Sequence, residues 1–337
     1  MTMTLCLGLL SAGAQDRGFV VKGRVNMPDG YEVGIVCHTD SVYSVEVANG
    51  TIRDGRFELK GHVSQPWTGT LMTNNLKLVG EHNWPTDSIR WTYTDIFLSN
   101  DDITVDKDLH VDGGQVQKDF NDYQRMCGQA GDGSPDFDFI DTHPSSVVSA
   151  HLAINLLKRG YNLTKEQVEH LEKTIREVPG DPKRMEQLKQ SIAYAKKTTR
   201  GGDLVDLELK DTKGKVCRLV NVVPKNRFVL VDFWASWCGI CIAAMPEIKK
   251  LSEEYKDKFS VIAVSIDTKE EAWRKAMEKH PEPWPQYVTT AQGYKDLFTK
   301  YQVGNGVPYY IILTPDGKVL NSPSNPEAVR EILEKYQ

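Results

Sequence analysis

Residues 228–241 read Phe228-Val229-Leu230-Val231-Asp232-Phe233-Trp234-Ala235-Ser236-Trp237-Cys238-Gly239-Ile240-Cys241. An apolar, β-rich run from Phe228 to Phe233 leads through a short turn into two cysteines three residues apart. Ala244, Ile248, Leu251 and Tyr255 then recur at helical spacing. The Cys-x-x-Cys therefore falls where a strand ends and a helix begins. On a helix, a spacing of three puts both sulfurs on one face, one turn apart. Cys238 falls at the helix N-terminus, where unpaired N–H groups and the positive end of the dipole favour a thiolate. Thiols at such sites drop from about 8.5 to between roughly 3.5 and 7.5, which makes them usable nucleophiles and good leaving groups near neutral pH. Zinc ligation would need a second ligand pair. Cys6, Cys37, Cys127 and Cys217 stand alone, and no histidine pair has finger-like spacing. A structural disulfide would not need the helix start or the flanking tryptophans. The stretch reads as a redox-active dithiol.

Worked outward, residues 202–337 resemble a thioredoxin-fold protein. Val231 to Ala235 and Trp237 to Cys241 are similar to that family's active-site strand and loop, and Pro246 falls where the family kinks its first active-site helix. Gly306-Val307-Pro308 precedes Tyr309-Tyr310-Ile311-Ile312-Leu313 and the turn Thr314-Pro315-Asp316-Gly317. The resemblance implies that Pro308 is cis and packs against the disulfide, and that Val307 offers backbone hydrogen bonds to a substrate chain. Within the superfamily, the lead-in Leu207 to Lys215 resembles the opening hairpin of the TlpA/ResA-like group of exported thiol–disulfide oxidoreductases. So does the insertion between Asp267 and Tyr301, with Trp273, Trp284 and Pro285. The whole layout resembles Bacteroidetes proteins that carry a β-rich N-terminal domain of the DUF4369 type. Three positions depart from pattern. Ile240 stands where the family has proline, and Ile242, Ala243 and Ala244 stand where an acidic residue often follows the second cysteine. Asp232 matches the buried aspartate of thioredoxin, but Ala263 stands in place of the lysine that accompanies it.

The expected chemistry is thiol–disulfide exchange, with the redox-active pair as the only prosthetic element and no metal or other cofactor. Cys238, expected to be exposed, attacks a substrate disulfide, and Cys241, one turn deeper, resolves the mixed disulfide. Asp232 takes the Cys241 proton directly or through a water, since burial would raise its pKa into a useful range. The alternative for Asp232 is a strand-end residue capping a turn. A carboxylate inside an apolar strand is costly without a role, which favours the first reading. Trp237, Gly239, Ile240, Val307 and Pro308 form the expected substrate platform, and Trp234 is packing. A thiol peroxidase is the less favoured enzyme reading, because Ala235 occupies the position where such sites need threonine. A binding or scaffold protein of the envelope, with a secondary redox module, is the other alternative. Retention of both cysteines and of Val307-Pro308 argues against it.

The chain has 337 residues, enough for more than one domain. The expected class is multidomain: an antiparallel β-sandwich at 15–114, a helical segment at 115–200 and an α/β thioredoxin fold at 201–337. Net charge is −5 with scattered basic residues, so nucleic acid is not an expected partner. Residues 1–14 read as a signal-peptide remnant, with an apolar run from Leu5 to Leu10 and Ala12-Gly13-Ala14 before Gln15, though without a basic n-region. Cys6 does not sit in a lipobox. The reading places the chain in the periplasm or cell envelope, with disulfide-containing exported proteins as substrates and a membrane electron donor as a further partner. Cys37 and Cys217 read as small buried hydrophobes. Cys127 reads as free, with a Cys37–Cys127 bridge as the minor alternative. Asp29-Gly30, Asn49-Gly50 and Asp54-Gly55 read as turns, and His38, His62, His82 and His110 show no ligand spacing. Thr164 and Gln167 form a capping box before Val168, Leu171 and Ile175. Pro179-Gly180 stops that helix, and Asp181-Pro182 starts the next, with Met185, Leu188 and Ile192 on one face. Asp132 to Asp141 reads as a loop, and Gly201-Gly202 as a hinge.

Overall fold

The computed structural model describes residues 18–38, 45–74, 92–131, 133–158, 160–300 and 306–336. The expected signal-peptide remnant, Cys6 and His82 lie outside them. Two compact units are present. One takes in the described residues up to Ser149 together with Glu177–Arg184. The other is Ala150–Arg176 with Met185 onward. The helical stretch 115–200 is thus shared between the units and is not a domain by itself.

In the first unit, strands β1 (Phe19–Arg24), β2 (Glu32–Cys37), β3 (Val45–Thr51), β4 (Arg56–Gly61), β5 (Trp67–Asn74), β6 (Thr92–Leu98), β7 (Asp102–Val105) and β8 (Val111–Asp112) form two four-stranded sheets, β4-β1-β7-β8 and β3-β2-β5-β6. Alternate residues such as Val33, Ile35 and Cys37 point into a shared apolar core with Phe19, Leu59 and Ile96, as period-two burial requires. The pairing is antiparallel as expected, apart from β1 with β7, which is parallel. Asp54-Gly55 makes its turn at positive φ. Asn49-Gly50 does not turn. It continues β3 opposite Gly34 and Val33, and a Cβ on Gly50 would come within 2.9 Å of Leu59. Cys37 and Cys127 are both free thiols, so the bridge between them is not formed. Burial pushes the Cys37 thiol up to about 11.

Helices α1 (Gln115–Gln129) and α2 (Asp136–Thr142) follow. The second takes up Asp136 to Asp141 of the loop expected at 132–141. Asp136 and Asp138 suit its positive N-terminal end, and Phe139 and Ile140 are buried. Helices α3 (Val147–Leu157), α4 (Lys165–Thr174) and α5 (Pro182–Ala195) complete the helical stretch. The Thr164–Gln167 capping box is formed in both directions. Ile175, expected inside α4, is its extended C-cap. At the start of α5, buried Arg184 pairs with Asp181 at 2.8 Å and also bonds the Pro66 carbonyl.

The second unit is built on a seven-stranded sheet, β10-β9-β13-β12-β11-β14-β15. Its strands are β9 (Glu208–Asp211), β10 (Val216–Arg218), β11 (Phe228–Trp234), β12 (Phe259–Ser265), β13 (Gln286–Thr289), β14 (Tyr309–Leu313) and β15 (Val319–Asn321). Its helices are α6 (Leu219–Val222), α7 (Gly239–Glu254), α8 (Glu270–Lys279), α9 (Ala291–Lys300) and α10 (Pro326–Lys335). Every residue of β11 but Phe228 is buried, as a central strand covered on both faces must be. β9 and β10 are the expected opening hairpin, with Cys217 on β10. The expected insertion supplies α8, β13 and α9, and β13 enters the sheet between β12 and β9. Gly201-Gly202 is not a free hinge. Gly201 N–H donates to the Val319 carbonyl at 2.7 Å, and Val319 N–H donates back to Gly202 at 2.9 Å.

Candidate active site

The site forms where β11 ends and α7 begins. Backbone pairing carries β11 up to Trp234 between β12 and β14. The chain then turns at Ala235-Ser236-Trp237, closed by Cys238 N–H donating to the Ala235 carbonyl at 3.0 Å. Cys238 is the N-cap of α7, and its Sγ accepts from Cys241 N–H at 3.2 Å. That bond satisfies one of the orphan donors of the helix start with sulfur. Cys238 and Cys241 are joined as a disulfide, with their Cα atoms 5.3 Å apart. Pro246 lies inside α7, as expected.

Cys238 is 6% exposed, so in the disulfide state it is not the open sulfur that the sequence suggested. Its Sγ is bonded to Cys241, lies against the Cys241 amide and sits 3.5 Å from the Val307 carbonyl oxygen. The exposed groups are instead the two apolar side chains beside it, Trp237 at 68% and Ile240 at 74%. Gly239 is exposed and has open space where a Cβ would stand, so no close approach requires glycine there. Trp234 is buried.

The Val307–Pro308 peptide is cis, as the resemblance implies. Gly306 before it holds a φ of 81°, a left-handed conformation that glycine adopts without strain. Tyr309, directly after Pro308, donates its hydroxyl to the Gly160 carbonyl at 2.6 Å. Tyr161, fully buried in the same core, accepts from Val205 N–H at 2.6 Å and donates to the Asp203 carbonyl at 3.1 Å. The segment between α3 and α4 therefore packs into the redox core and holds the strand that follows Pro308.

Asp232 lies inside β11, two residues before its end. It pairs with Ala263 on one side and Tyr310 on the other. Paired residues share a face of the sheet, so the small Ala263 occupies the neighbouring place where a lysine would have met the carboxylate. Asp232 is 3% exposed, and its Oδ1 is buried without a hydrogen-bond partner. Burial pushes its pKa up to about 7 from an ordinary value of 3.8. Burial also raises the Tyr310 hydroxyl, with a smaller contribution from Asp232.

The sequence reading missed Asp267, two residues after β12. It is buried, and its carboxylate accepts from Ser236 N–H at 2.9 Å, Ser236 Oγ at 2.7 Å and Ser265 Oγ at 2.7 Å. Only the spacing Ser265-x-Asp267 at the end of an apolar strand hinted at it. Elsewhere, His110 does meet other donors. Its ring lies with Asp106 and Asp108, all exposed, in a turn where Asp106 Oδ1 accepts the Asp108 and His110 amides. Among the described residues no helix is long and apolar enough to cross a membrane.

Comparison with known proteins places this geometry in a family. A family model described as thioredoxin-like matches residues 226–319. The thiol-disulfide oxidoreductase ResA of Bacillus cereus is 30% identical over 146 residues, which span 43% of this chain and 80% of that protein. The thioredoxin-like protein YneN of Bacillus subtilis is 37% identical over 82 residues, 23% of this chain and only 47% of YneN. Among solved structures, the thioredoxin domain of a thiol-disulfide oxidoreductase from Bacteroides vulgatus is 30% identical, covering 41% of this chain and 96% of that one, with a TM-score of 0.37. A thiol-disulfide oxidoreductase from Bacteroides fragilis is 29% identical, covering 40% and 99%, with a TM-score of 0.36. On the length and identity shared with ResA, the chain belongs to the thioredoxin-like family of thiol–disulfide oxidoreductases.

Proposed function

We propose that the chain reduces disulfides in exported proteins of the periplasm or cell envelope, by attack of Cys238 and resolution by Cys241. The observation that carries this reading is the Cys238–Cys241 disulfide at the N-cap of α7, with the Cys241 amide directed at Cys238 Sγ. In the dithiol state the same amide and the helix dipole stabilise a Cys238 thiolate. That thiolate attacks one sulfur of the substrate disulfide, forms a mixed disulfide and expels the other sulfur as a thiolate. Cys241 then gives its proton to Asp232 and attacks Cys238 Sγ. The substrate leaves with both sulfurs reduced, and the Cys238–Cys241 bond is restored. A carboxylate with a pKa near 7 accepts that proton and releases it again at little cost near neutral pH.

Trp237 and Ile240 offer apolar surface to a peptide, and the Val307 carbonyl offers it a hydrogen-bond acceptor. The oxidised pair must be recharged, and a membrane electron donor fills that role in this account. Export is supported by the apolar run at Leu5–Leu10 and the small residues at Ala12-Gly13-Ala14. The test of direction is the equilibrium potential of the pair. A value below that of protein disulfide isomerase, about −180 mV, is expected of a reductant, and one near the DsbA value of about −120 mV would make the protein an oxidant.

A further inference from the structure

A second carboxylate stands at the redox site, and the mechanism above does not use it. Asp267 is buried at the end of β12, and its two oxygens receive three hydrogen bonds, from the Ser236 amide, the Ser236 hydroxyl and the Ser265 hydroxyl. Three converging donors suit a carboxylate that only accepts, which is the ionised form. The Asp267 amide donates in turn to Ser265 Oγ at 3.0 Å, and the Ile266 amide to the Trp234 carbonyl at 2.8 Å. The turn that delivers Cys238 is thus clamped onto the end of β12.

Ser236 is two residues from Cys238. Consecutive Cα atoms are about 3.8 Å apart, so the two Cα atoms lie within about 7.6 Å of each other. The Asp267 charge therefore acts on Cys238 from a distance on the order of 10 Å. Among the described residues no side-chain cation hydrogen-bonds or ion-pairs with Asp267. Asp232 on β11, Tyr287 on β13 and Tyr309 and Tyr310 on β14 carry no positive charge. The nearest cation in sequence, Lys269, is exposed, so solvent and salt screen it while the buried carboxylate acts on the site.

We propose that Asp267 is a positioning residue that also tunes the dithiol: its carboxylate holds the Ser236 turn and disfavours the Cys238 thiolate, which makes the pair more strongly reducing. This deepens the proposed exchange reaction and rests on it. The sign follows from linkage. Whatever raises the thiol pKa destabilises the reduced, thiolate-bearing state relative to the neutral disulfide, and the pair gives up its electrons more readily. Through protein of effective dielectric near 20, a charge on the order of 10 Å away shifts a thiol by about one unit.

The experiment is the pH dependence of Cys238 alkylation, read by peptide mass spectrometry in the Cys241→Ser background. It is paired with equilibrium against glutathione for the otherwise intact full-length chain. Asp267→Asn removes the charge at constant size and is expected to lower the Cys238 pKa by about one unit. It should also shift the glutathione equilibrium up to about tenfold toward the dithiol. Should Asp267→Asn fail to fold, Asp267→Ser, which also removes the charge and leaves a hydroxyl at the turn, carries the test with the same expected fall in the Cys238 pKa. A purely structural clamp predicts otherwise: loss of the carboxylate in either variant would leave the thiol pKa unchanged or higher as the N-cap loosens. That result overturns the inference. Failure of the wild type to turn over any protein disulfide would overturn the exchange reading instead, whatever the thiol pKa of the variants.

Discussion

At the residue scale, Asp232 makes the sharpest statement. A carboxyl with no cation beside it and one unpartnered oxygen is held neutral by burial up to about pH 7. In the unfolded chain it ionises near 3.8. Between those values the folded state binds the extra proton, so stability falls as pH rises. About three units at 1.36 kcal/mol each give a loss on the order of 4 kcal/mol, complete once the pH has passed about 7. Asp232→Asn removes that loss. The oxidised variant is expected to gain stability over the oxidised wild type at pH 8 and little at pH 4, by denaturant titration at both. In the proposed mechanism the same variant lacks the proton acceptor, so the resolving step should slow and its rise through about pH 7 should disappear in single-turnover measurements. The buried position of Asp232 was legible because an acid in an apolar strand is a conflict visible in the residues alone. Asp267 was not legible, because its partners Ser236 and Ser265 come together only when β12 lies beside β11. The burial of Cys238 was hidden for the same reason: the Val307 carbonyl that covers it comes from a residue 69 positions away.

At the scale of elements, the strand–turn–helix around Cys238 and the hairpin of β9 with β10 were readable, since local periodicity and turn residues specify them. The capping box of α4 was equally plain. Thr164→Ala removes the acceptor for the Gln167 amide, with an expected cost of about 1 kcal/mol in chemical denaturation. Two elements were misread for physical reasons. Asn49-Gly50 has turn composition but is held extended by pairing with β2, and Asp136 to Asp141, read as part of a loop, are helical because Phe139 and Ile140 find a core. The platform strand β14 depends on a distant contact. Tyr309→Phe removes the bond to the Gly160 carbonyl, at a cost of about 1 kcal/mol. It is expected to raise KM for a protein disulfide more than it lowers kcat, because in the proposed mechanism Val307–Pro308 serves as a substrate platform and carries no reacting atom.

At the scale of the whole molecule, the thioredoxin-like region was recognisable from residue 202 onward, but the unit that contains it is larger. Ala150–Arg176 belongs with it, and Tyr161 is part of its core. Sequence periodicity shows that such helices are amphipathic without showing which core they join. A fragment beginning at Gly201 is therefore expected to unfold more readily than the same region in the full chain. Tyr161→Ala in the full chain should reproduce much of the loss, roughly 3–5 kcal/mol for deleting a buried aromatic side chain. The central claim, that Cys238 and Cys241 exchange disulfides with protein substrates, is tested most directly by trapping. Full-length Cys241→Ser, reduced and mixed with a disulfide-bonded protein, should accumulate a mixed disulfide at Cys238 by mass spectrometry, while the wild type completes reduction and Cys238→Ser does neither. Equal, slow reaction of wild type and Cys238→Ser, with no trapped adduct in Cys241→Ser, would contradict the account.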